Sequence, residues 1–167
     1  MGSLRKMDGT TDLDGFFPYR LAVAAEAFSR NLAEVYGRDY GLTREEWRLL
    51  FLLARAERIT SVELSARTTL DKVQVSRAAK RLEEKGLITR AISEADRRLR
   101  VYACTERGRA LFDEALPKVE ARARQMLDAL DPDDLRGLLD GIGGLIEVLA
   151  EHGDAPRTTS DEEAALA

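Results

Sequence analysis

Apolar residues recur at helical spacing near both ends of this 167-residue chain. Over residues 15–36 they lie three or four positions apart, which predicts an amphipathic helix. A second stripe follows Asp131 and Pro132, a typical helix start, and continues to Leu149 at the spacing i, i+3, i+4 and i+7. The pattern therefore predicts a helix with one apolar face toward each end of the chain.

In the middle of the chain, capping-box spacings predict shorter helices and the residues at which they begin. Thr43 and Glu46 have the spacing of a capping box, so a second helix should begin there and end near Arg55. Thr60 and Glu63 repeat this spacing at the start of a short third helix.

A polar turn leads into a fourth helix, predicted over residues 72–85 and ended by Gly86, since glycine accepts the left-handed geometry found after a helix. Two strand-like segments, "LITRAIS" and "RRLRVYACT", follow with a charged hairpin loop between them. A fifth helix is predicted over residues 106–130, so the order is that of a helix-turn-helix with a hairpin wing. In the second strand, alternation predicts one face formed by Leu99, Val101 and Ala103.

Charge is unevenly distributed along the chain. The formal net charge is −4, yet residues 61–109 contain 12 Lys and Arg against 7 Asp and Glu, a local net of +5. The remaining residues contain 14 basic and 23 acidic side chains, a net of −9. A basic middle between acidic ends is expected where one surface meets a polyanion, although chance clustering would give the same counts.

The fourth helix carries its basic residues on one face. At 100° per residue, Val75, Ala78, Ala79 and Leu82 fall on a single apolar stripe. The opposite face combines long cations, an amide, a hydroxyl and a small apolar group, which are the side chains that contact base edges in the major groove. The predicted DNA-contacting residues are Ser61, Lys72, Gln74, Ser76, Arg77, Lys80 and Arg81, together with Arg97 and Arg98 of the hairpin loop.

The hairpin loop "SEADRRLR" is predicted to make a second contact with DNA. Arg97 and Arg98 can reach a narrow minor groove, whose negative potential attracts guanidinium groups. Asp96 beside them is predicted to accept hydrogen bonds from an arginine and to support the shape of the wing. An ordinary solvated turn is the alternative for this segment.

The composition argues against several other classes of protein. The sequence contains no run of 18 apolar residues, so no membrane span is predicted. The N-terminal "MGSLRKMDGTTD" lacks the apolar segment of a secretory signal. The single cysteine, Cys104, cannot form an internal disulfide or a multi-cysteine zinc site, which favours a reducing cytoplasm. Without a phosphate loop, a metal-ligand cluster or a nucleophile beside a base, the sequence predicts no enzyme, metal or cofactor.

Two segments resemble the MarR family of transcriptional regulators. They are "LDKVQVSRAAKRLEEKGLITR", for a recognition helix and first wing strand, and "DRRLRVYACTERGRALF", for the wing and the start of the fifth helix. The order of helices is similar too, so the resemblance covers roughly residues 15–151. One departure is Cys104, which stands where the family usually has a leucine before the threonine.

The resemblance implies a mainly α fold with a small β-hairpin wing, in which a winged helix-turn-helix lies between N- and C-terminal dimerisation helices. Residues 15–40 and 105–152 would form the dimerisation region, and residues 41–104 the DNA-binding domain. Residues 1–14 and 153–167 are polar and aperiodic, which predicts a disordered leader and tail. The implied complex is a homodimer on a pseudo-palindromic duplex, with half-sites about one helical turn apart.

Members of this family often respond to small aromatic or phenolic ligands, and the resemblance implies a repressor that such a ligand relieves. The ligand would lie between the dimerisation helices and the winged domain, with Arg20 beside its anionic group and Phe17, Phe28 and Trp47 around its ring. Plain core positions are the alternative for Phe28 and Trp47. A ligand-independent winged-helix module that binds DNA or another protein is the competing interpretation of the whole chain.

Overall fold

The computed structural model describes residues 15–68, 70–93 and 97–151. The predicted leader, the predicted tail and Asp96 lie outside these residues. A mainly α fold with a small antiparallel wing is confirmed. In chain order the elements are α1 (Phe17–Tyr40), α2 (Arg44–Arg55), β1 (Ile59–Thr60), α3 (Ser61–Arg67), α4 (Lys72–Glu84), β2 (Ile88–Ile92), β3 (Arg100–Cys104), α5 (Glu106–Leu127) and α6 (Pro132–Glu151).

Capping boxes fix where α2 and α3 begin. At the start of α2 the Thr43 hydroxyl accepts from the Glu46 backbone N–H at 3.2 Å, and the Glu46 carboxylate accepts from the Thr43 backbone N–H at 2.9 Å. Thr60 and Glu63 exchange the same two bonds at the start of α3. Both predicted boxes are confirmed, and each supplies partners to backbone N–H groups that have none inside the helix.

The first helix is longer than its apolar pattern predicts. It continues four residues past Tyr36, to Tyr40, and ends at Gly41. Its second half packs along α5, where the Tyr40 hydroxyl donates to Glu114 Oε1 at 3.0 Å. This final turn is stabilised by contacts from a distant helix, and apolar spacing alone carries no information about such contacts.

The wing is a three-stranded sheet with the order β1-β3-β2 rather than a two-stranded hairpin. The strand that the sequence misses, β1, pairs with β3 at Ile59↔Tyr102 and Thr60↔Val101. Two residues are too few to show an alternating pattern. The predicted alternation in β3 is also wrong, because Tyr102 is 4% exposed beside Ile59, while Val101 and Ala103 are only half-buried.

The core lies between α2, α4, α5 and the sheet. Three leucines of α2 are fully buried in it: Leu49, Leu50 and Leu53. Rings from three helices stack at one end of this core, with Trp47 lying 5.1 Å from Tyr36 and 5.4 Å from Phe112 between ring centroids. The stacked rings join α1, α2 and α5, so the long helices are attached firmly to the winged part of the fold.

Two glycines shape the connection from α4 through β2 to α5. Gly86 has a φ of 69°, which confirms the predicted end of the fourth helix. Gly108 is buried in the first turns of α5, close enough to β2 that an added Cβ would overlap the carbonyl oxygen of Leu87. The start of α5 therefore packs with its backbone directly against the chain that leads into β2.

The last helix leaves its apolar stripe exposed. No residue of α6 is buried against the rest of the described chain. Leu139, Ile142 and Ile146 remain 55%, 40% and 39% exposed. The first half of α1 is exposed in the same way, with Phe17 at 63%.

Candidate nucleic-acid interface

Helix α4 buries one face and exposes the other, as the helical wheel predicts. Its apolar residues Val75, Ala78, Ala79 and Leu82 are each at most 3% exposed. Within the described residues, Arg77 has no carboxylate within ion-pair distance, whereas Lys80 lies 3.8 Å from Glu84. The residues predicted to contact DNA from this helix are all exposed: Lys72, Gln74, Ser76, Arg77, Lys80 and Arg81.

Gln74 has a structural role that the sequence analysis did not recognise. The Asp71 carboxylate accepts from the backbone N–H groups of Val73 and Gln74, both at 2.8 Å, and the Gln74 Oε1 accepts from the Asp71 backbone N–H at 3.0 Å. The spacing of Asp71 and Gln74 is that of a third capping box, which was available as a signal. In this geometry the Gln74 amide oxygen is engaged, and its amide nitrogen is the group that can donate to a base.

A groove of about 650 Å³ separates α4 from α3 and the wing. Four predicted contact residues line it together: Ser61 at the start of α3, Lys72 and Ser76 on α4, and Arg98 on the wing. The Ser61 hydroxyl accepts from the Arg100 backbone N–H at 3.4 Å, which joins α3 to β3 at the groove edge. Hydroxyl groups and cations around one concave surface form the kind of site that binds phosphate oxygens of a duplex.

The wing presents its arginines at the turn between β2 and β3. Arg97 and Arg98 are both exposed there, and Arg98 also lines the groove. The role predicted for Asp96 in supporting this turn stays a prediction, since that residue is outside the described part of the chain.

Of the four residues predicted to hold a small ligand, three lie on α1 and one, Trp47, lies on α2. Phe17 and Arg20 are exposed at the start of α1, and Phe28 is half-buried 11 positions beyond Phe17, about 16 Å along the helix. Trp47 is 8% exposed within the aromatic stack. Within one chain, this spacing along α1 separates Phe17 from Phe28 by more than the width of a small ring, and the predicted ligand site stays a prediction.

A different cavity of about 310 Å³ lies beside Trp47, between α2 and α3. It is lined by Trp47, Arg48, Phe51, Leu52, Arg67 and Thr68. Two of these, Arg48 and Arg67, are cations that the sequence analysis did not select. No sequence pattern pairs the middle of α2 with the end of α3, because their proximity depends on tertiary packing.

Cys104 is half-buried at the end of β3. Its Sγ donates to the Leu87 carbonyl oxygen at 3.7 Å. Burial raises the pKa of the Cys104 thiol, so the thiol stays protonated at neutral pH. Reactive cysteines require the opposite setting, an exposed and electropositive one that lowers the pKa.

Across residues 15–68, 70–93 and 97–151, no group of three His, Cys, Asp or Glu side chains is arranged to hold a metal ion. None of the helices there has both the length and the apolar character needed to cross a bilayer.

A helix-turn-helix followed by a strand-paired wing, with a cationic second helix, defines a winged helix-turn-helix protein. Residues 40–99 match the model of the MarR family. The chain is also 28% identical over 100 residues to the HTH-type transcriptional regulator YdgJ of Bacillus subtilis (strain 168), a match that spans 60% of this chain and 61% of YdgJ. The matched residues are those of the winged helix-turn-helix, so this part of the chain resembles the MarR family of transcriptional regulators.

Solved structures have a similar fold. Sco3205, a MarR family transcriptional regulator from Streptomyces coelicolor solved in complex with DNA, superimposes with a TM-score of 0.72 at 23% identity. That match covers 89% of this chain and 92% of Sco3205. CouR from Rhodococcus jostii RHA1, solved with bound p-coumaroyl-CoA, gives a TM-score of 0.67 at 22% identity and covers 81% of this chain and 95% of CouR. At these identities the similarity shows the fold alone.

Proposed function

We propose that this chain is a dimeric, sequence-specific DNA-binding regulator of transcription. The observation that carries the proposal is the polar face of α4, where exposed cations border a groove closed on its other side by Ser61 and Arg98. A recognition helix needs an exposed face of this chemistry and a rigid apolar face behind it. The complex of Sco3205 with DNA, in the same fold, supports this assignment.

The partner that covers the apolar stripe of α6 is a second copy of the chain. Leu138, Leu139, Ile142, Ile146 and Leu149 together leave a long apolar surface in water, which a stable soluble chain normally covers. The exposed first half of α1 supplies further apolar surface, including Phe17 and Leu21. A two-fold dimer formed by these helices would carry two copies of α4, in agreement with half-sites about one helical turn apart.

Repression is the form of regulation that we propose. A dimer that occupies two adjacent major grooves, with Arg97 and Arg98 of each wing toward the minor groove, excludes other proteins from the same stretch of duplex. Binding in the cytoplasm to sites near a promoter would then reduce transcription.

The experiment that tests the proposal selects binding sites from a random duplex library and then replaces Arg77 by alanine. The variant is expected to bind the selected duplex roughly 5- to 150-fold more weakly, which corresponds to the 1–3 kcal/mol of a bidentate base contact. Its preference at one base pair should also relax. Fluorescence anisotropy at a fixed salt concentration measures both effects, because phosphate contacts make the affinity depend on salt.

The matched control is Arg38→Ala, which removes an exposed arginine from the last turn of α1. This variant should bind as the wild type does. Equal affinity of the Arg77→Ala variant and the wild type would remove Arg77 from the interface. Selection that yields no preferred sequence would contradict the proposed function as a whole.

A second role, binding of an anionic aromatic ligand, is favoured by the cavity between α2 and α3. Trp47 and Phe51 give this cavity apolar walls, and Arg48 and Arg67 can pair with a carboxylate. Its volume of about 310 Å³ suits a single-ring acid. The p-coumaroyl-CoA bound to CouR, which has a similar fold, supports the proposal that this chain binds an aromatic ligand.

Trp47 is the single tryptophan of the chain, so its fluorescence reports directly on the cavity. Salicylate and p-coumarate are expected to quench it in a saturable way, and Arg67→Gln should weaken the binding about tenfold by removing a charge-assisted hydrogen bond. Arg20→Gln is the control, because Arg20 lies at the exposed start of α1. A loss of affinity in Arg20→Gln with none in Arg67→Gln would favour the ligand site expected from the sequence.

A further inference from the structure

The residue that follows α4 is anchored to the turn between α1 and α2. Lys85, the C-cap residue of α4, has its Nζ 2.6 Å from Glu46 Oε2 and donates to the Gly41 carbonyl oxygen at 2.7 Å. Gly41 ends α1, and Glu46 lies in the first turn of α2. One ammonium group therefore connects the end of α4 with the end of α1 and the start of α2.

Glu46 is buried where a negative charge is costly. Its side chain is 1% exposed, and the oxygen that contacts Lys85 also accepts from the Thr43 backbone N–H. The other oxygen, Oε1, is buried and accepts no hydrogen bond from any residue that the structure describes. The Lys85 side chain is 36% exposed, so the pair is only partly buried. Ion pairs contribute little net stability at the surface and are often neutral or unfavourable in the interior, so stability alone does not account for this one.

The geometry of the Glu46–Lys85 pair explains its presence better than its contribution to stability does. Charge-assisted hydrogen bonds fix distance and direction more closely than apolar contacts do, and fixing register is the best-supported use of buried polar groups. The pair also joins elements that face different partners in the proposed complex. The helix α1 faces the second copy of the chain, and α4 faces the duplex.

We propose that the Glu46–Lys85 pair positions α4 relative to α1 and thereby sets the half-site spacing that the dimer accepts. This inference rests on the proposed function, and both residues act as positioning residues without touching DNA. Changing the spacing by one base pair moves a half-site about 3.4 Å along the duplex and rotates it by about a tenth of a turn. A dimer in which α4 is held rigidly accepts one spacing, whereas a dimer in which α4 can pivot accepts several.

The test uses three duplexes built from the sequence selected by the wild-type chain, with half-site spacings that differ by one base pair. The double variant Glu46→Gln with Lys85→Met removes both charges and keeps side chains of similar length. The wild type should prefer the selected spacing by about tenfold or more, since the other duplexes must deform to fit. The double variant should lose most of this preference, to about threefold or less, and keep its affinity for a single half-site.

The matched control is Glu83→Gln with Arg90→Met. This pair, 3.1 Å apart, also begins in the last turn of α4, but it ends on β2 and does not reach α1 or α2. It should retain the wild-type preference for one spacing. A loss of preference in this control as large as that in the double variant would overturn the proposal, because any ion pair near α4 would then have the same effect.

The preference is a ratio between duplexes measured on one protein preparation, so a smaller folded fraction lowers all affinities equally and leaves the ratio unchanged. An unchanged ratio in the Glu46→Gln, Lys85→Met variant overturns the proposal. A wild-type chain without any sequence preference contradicts the proposed function instead. If the double variant does not fold, Lys85→Gln takes its place: loss of the spacing preference would support the proposal, and a wild-type ratio would overturn it.

Discussion

Replacing Gly108 by alanine is expected to lower the free energy of unfolding by at least about 3 kcal/mol, the upper end of the usual cost of overpacking. The added Cβ would overlap the carbonyl oxygen of Leu87 and lie 2.9 Å from Cys104 Sγ. Backbone atoms cannot rotate away as the end of a flexible side chain can. The same carbonyl accepts from the Thr105 backbone N–H at 3.0 Å, so moving α5 outward would break the bond that holds its start.

The expected fall in Tm is about 6–12 °C. The protein concentration is held fixed, because the unfolding temperature of a chain that forms the proposed dimer depends on concentration. Gly137→Ala is the control, since a Cβ on Gly137 in α6 meets nothing within 4 Å. That substitution should leave stability unchanged or raise it by up to about 1 kcal/mol. A Gly108→Ala variant as stable as the wild type would mean that α5 does not pack against the start of β2.

Placing two glutamates on the apolar stripe of α6, as Ile142→Glu with Ile146→Glu, is expected to separate the proposed dimer into single chains. Both positions face the same side of the helix and are about 40% exposed in the isolated chain. Two charges at a contact between copies would be desolvated without partners, which costs several kcal/mol. Affinity for a duplex with two half-sites should fall by roughly 10²- to 10⁴-fold, because the second recognition helix is no longer linked to the first.

Sedimentation velocity measures whether the protein is a dimer or a single chain. Anisotropy on duplexes with one and two half-sites measures whether two linked α4 helices still bind together. Arg136→Glu serves as the control because it changes the net charge by the same amount on the polar face of α6, at a side chain 71% exposed. This control should remain dimeric. If the Ile142→Glu, Ile146→Glu variant also stays dimeric, the stripe of α6 is not where the two copies meet.

Helix starts, helix ends and helix faces that depend on residues close in sequence were predictable from the sequence. The capping boxes at Thr43 and Thr60 determine helix starts through bonds that span three residues, and Gly86 ends α4 through its own backbone conformation. The exposed face of α4 was predictable for the same reason, since helical periodicity assigns each residue to a face. These signals require no knowledge of the rest of the chain.

Features that depend on distant contacts were not predictable. The strand β1 exists because Ile59 and Thr60 pair with residues more than 40 positions away, and this pairing also turns Tyr102 toward the core. The partly buried contact between Glu46 and Lys85 joins residues 39 positions apart. Each of these depends on how helices and strands pack, which periodicity along one segment does not encode.

The candidate DNA site also combines features set by nearby residues with features set by distant contacts. The residues of α4 could be selected from one helix, but the groove that brings Ser61 and Arg98 beside them requires the folded wing. The ligand residues were predicted from the family resemblance, and the position of Arg48 and Arg67 beside Trp47 follows only from the packing of α2 against α3. Local chemistry therefore predicts which face of α4 is exposed, whereas the groove and the cavity depend on tertiary packing; both sets of contact residues stay predictions.

The most direct test of the account is a hydroxyl-radical footprint of the wild-type protein on its selected duplex. If two copies hold their α4 helices in successive major grooves, protection should fall in two zones on one face of the duplex, centred about 10 base pairs apart. A single protected zone, or uniform protection without regard to sequence, would contradict the central claim that a dimer of this chain reads two half-sites.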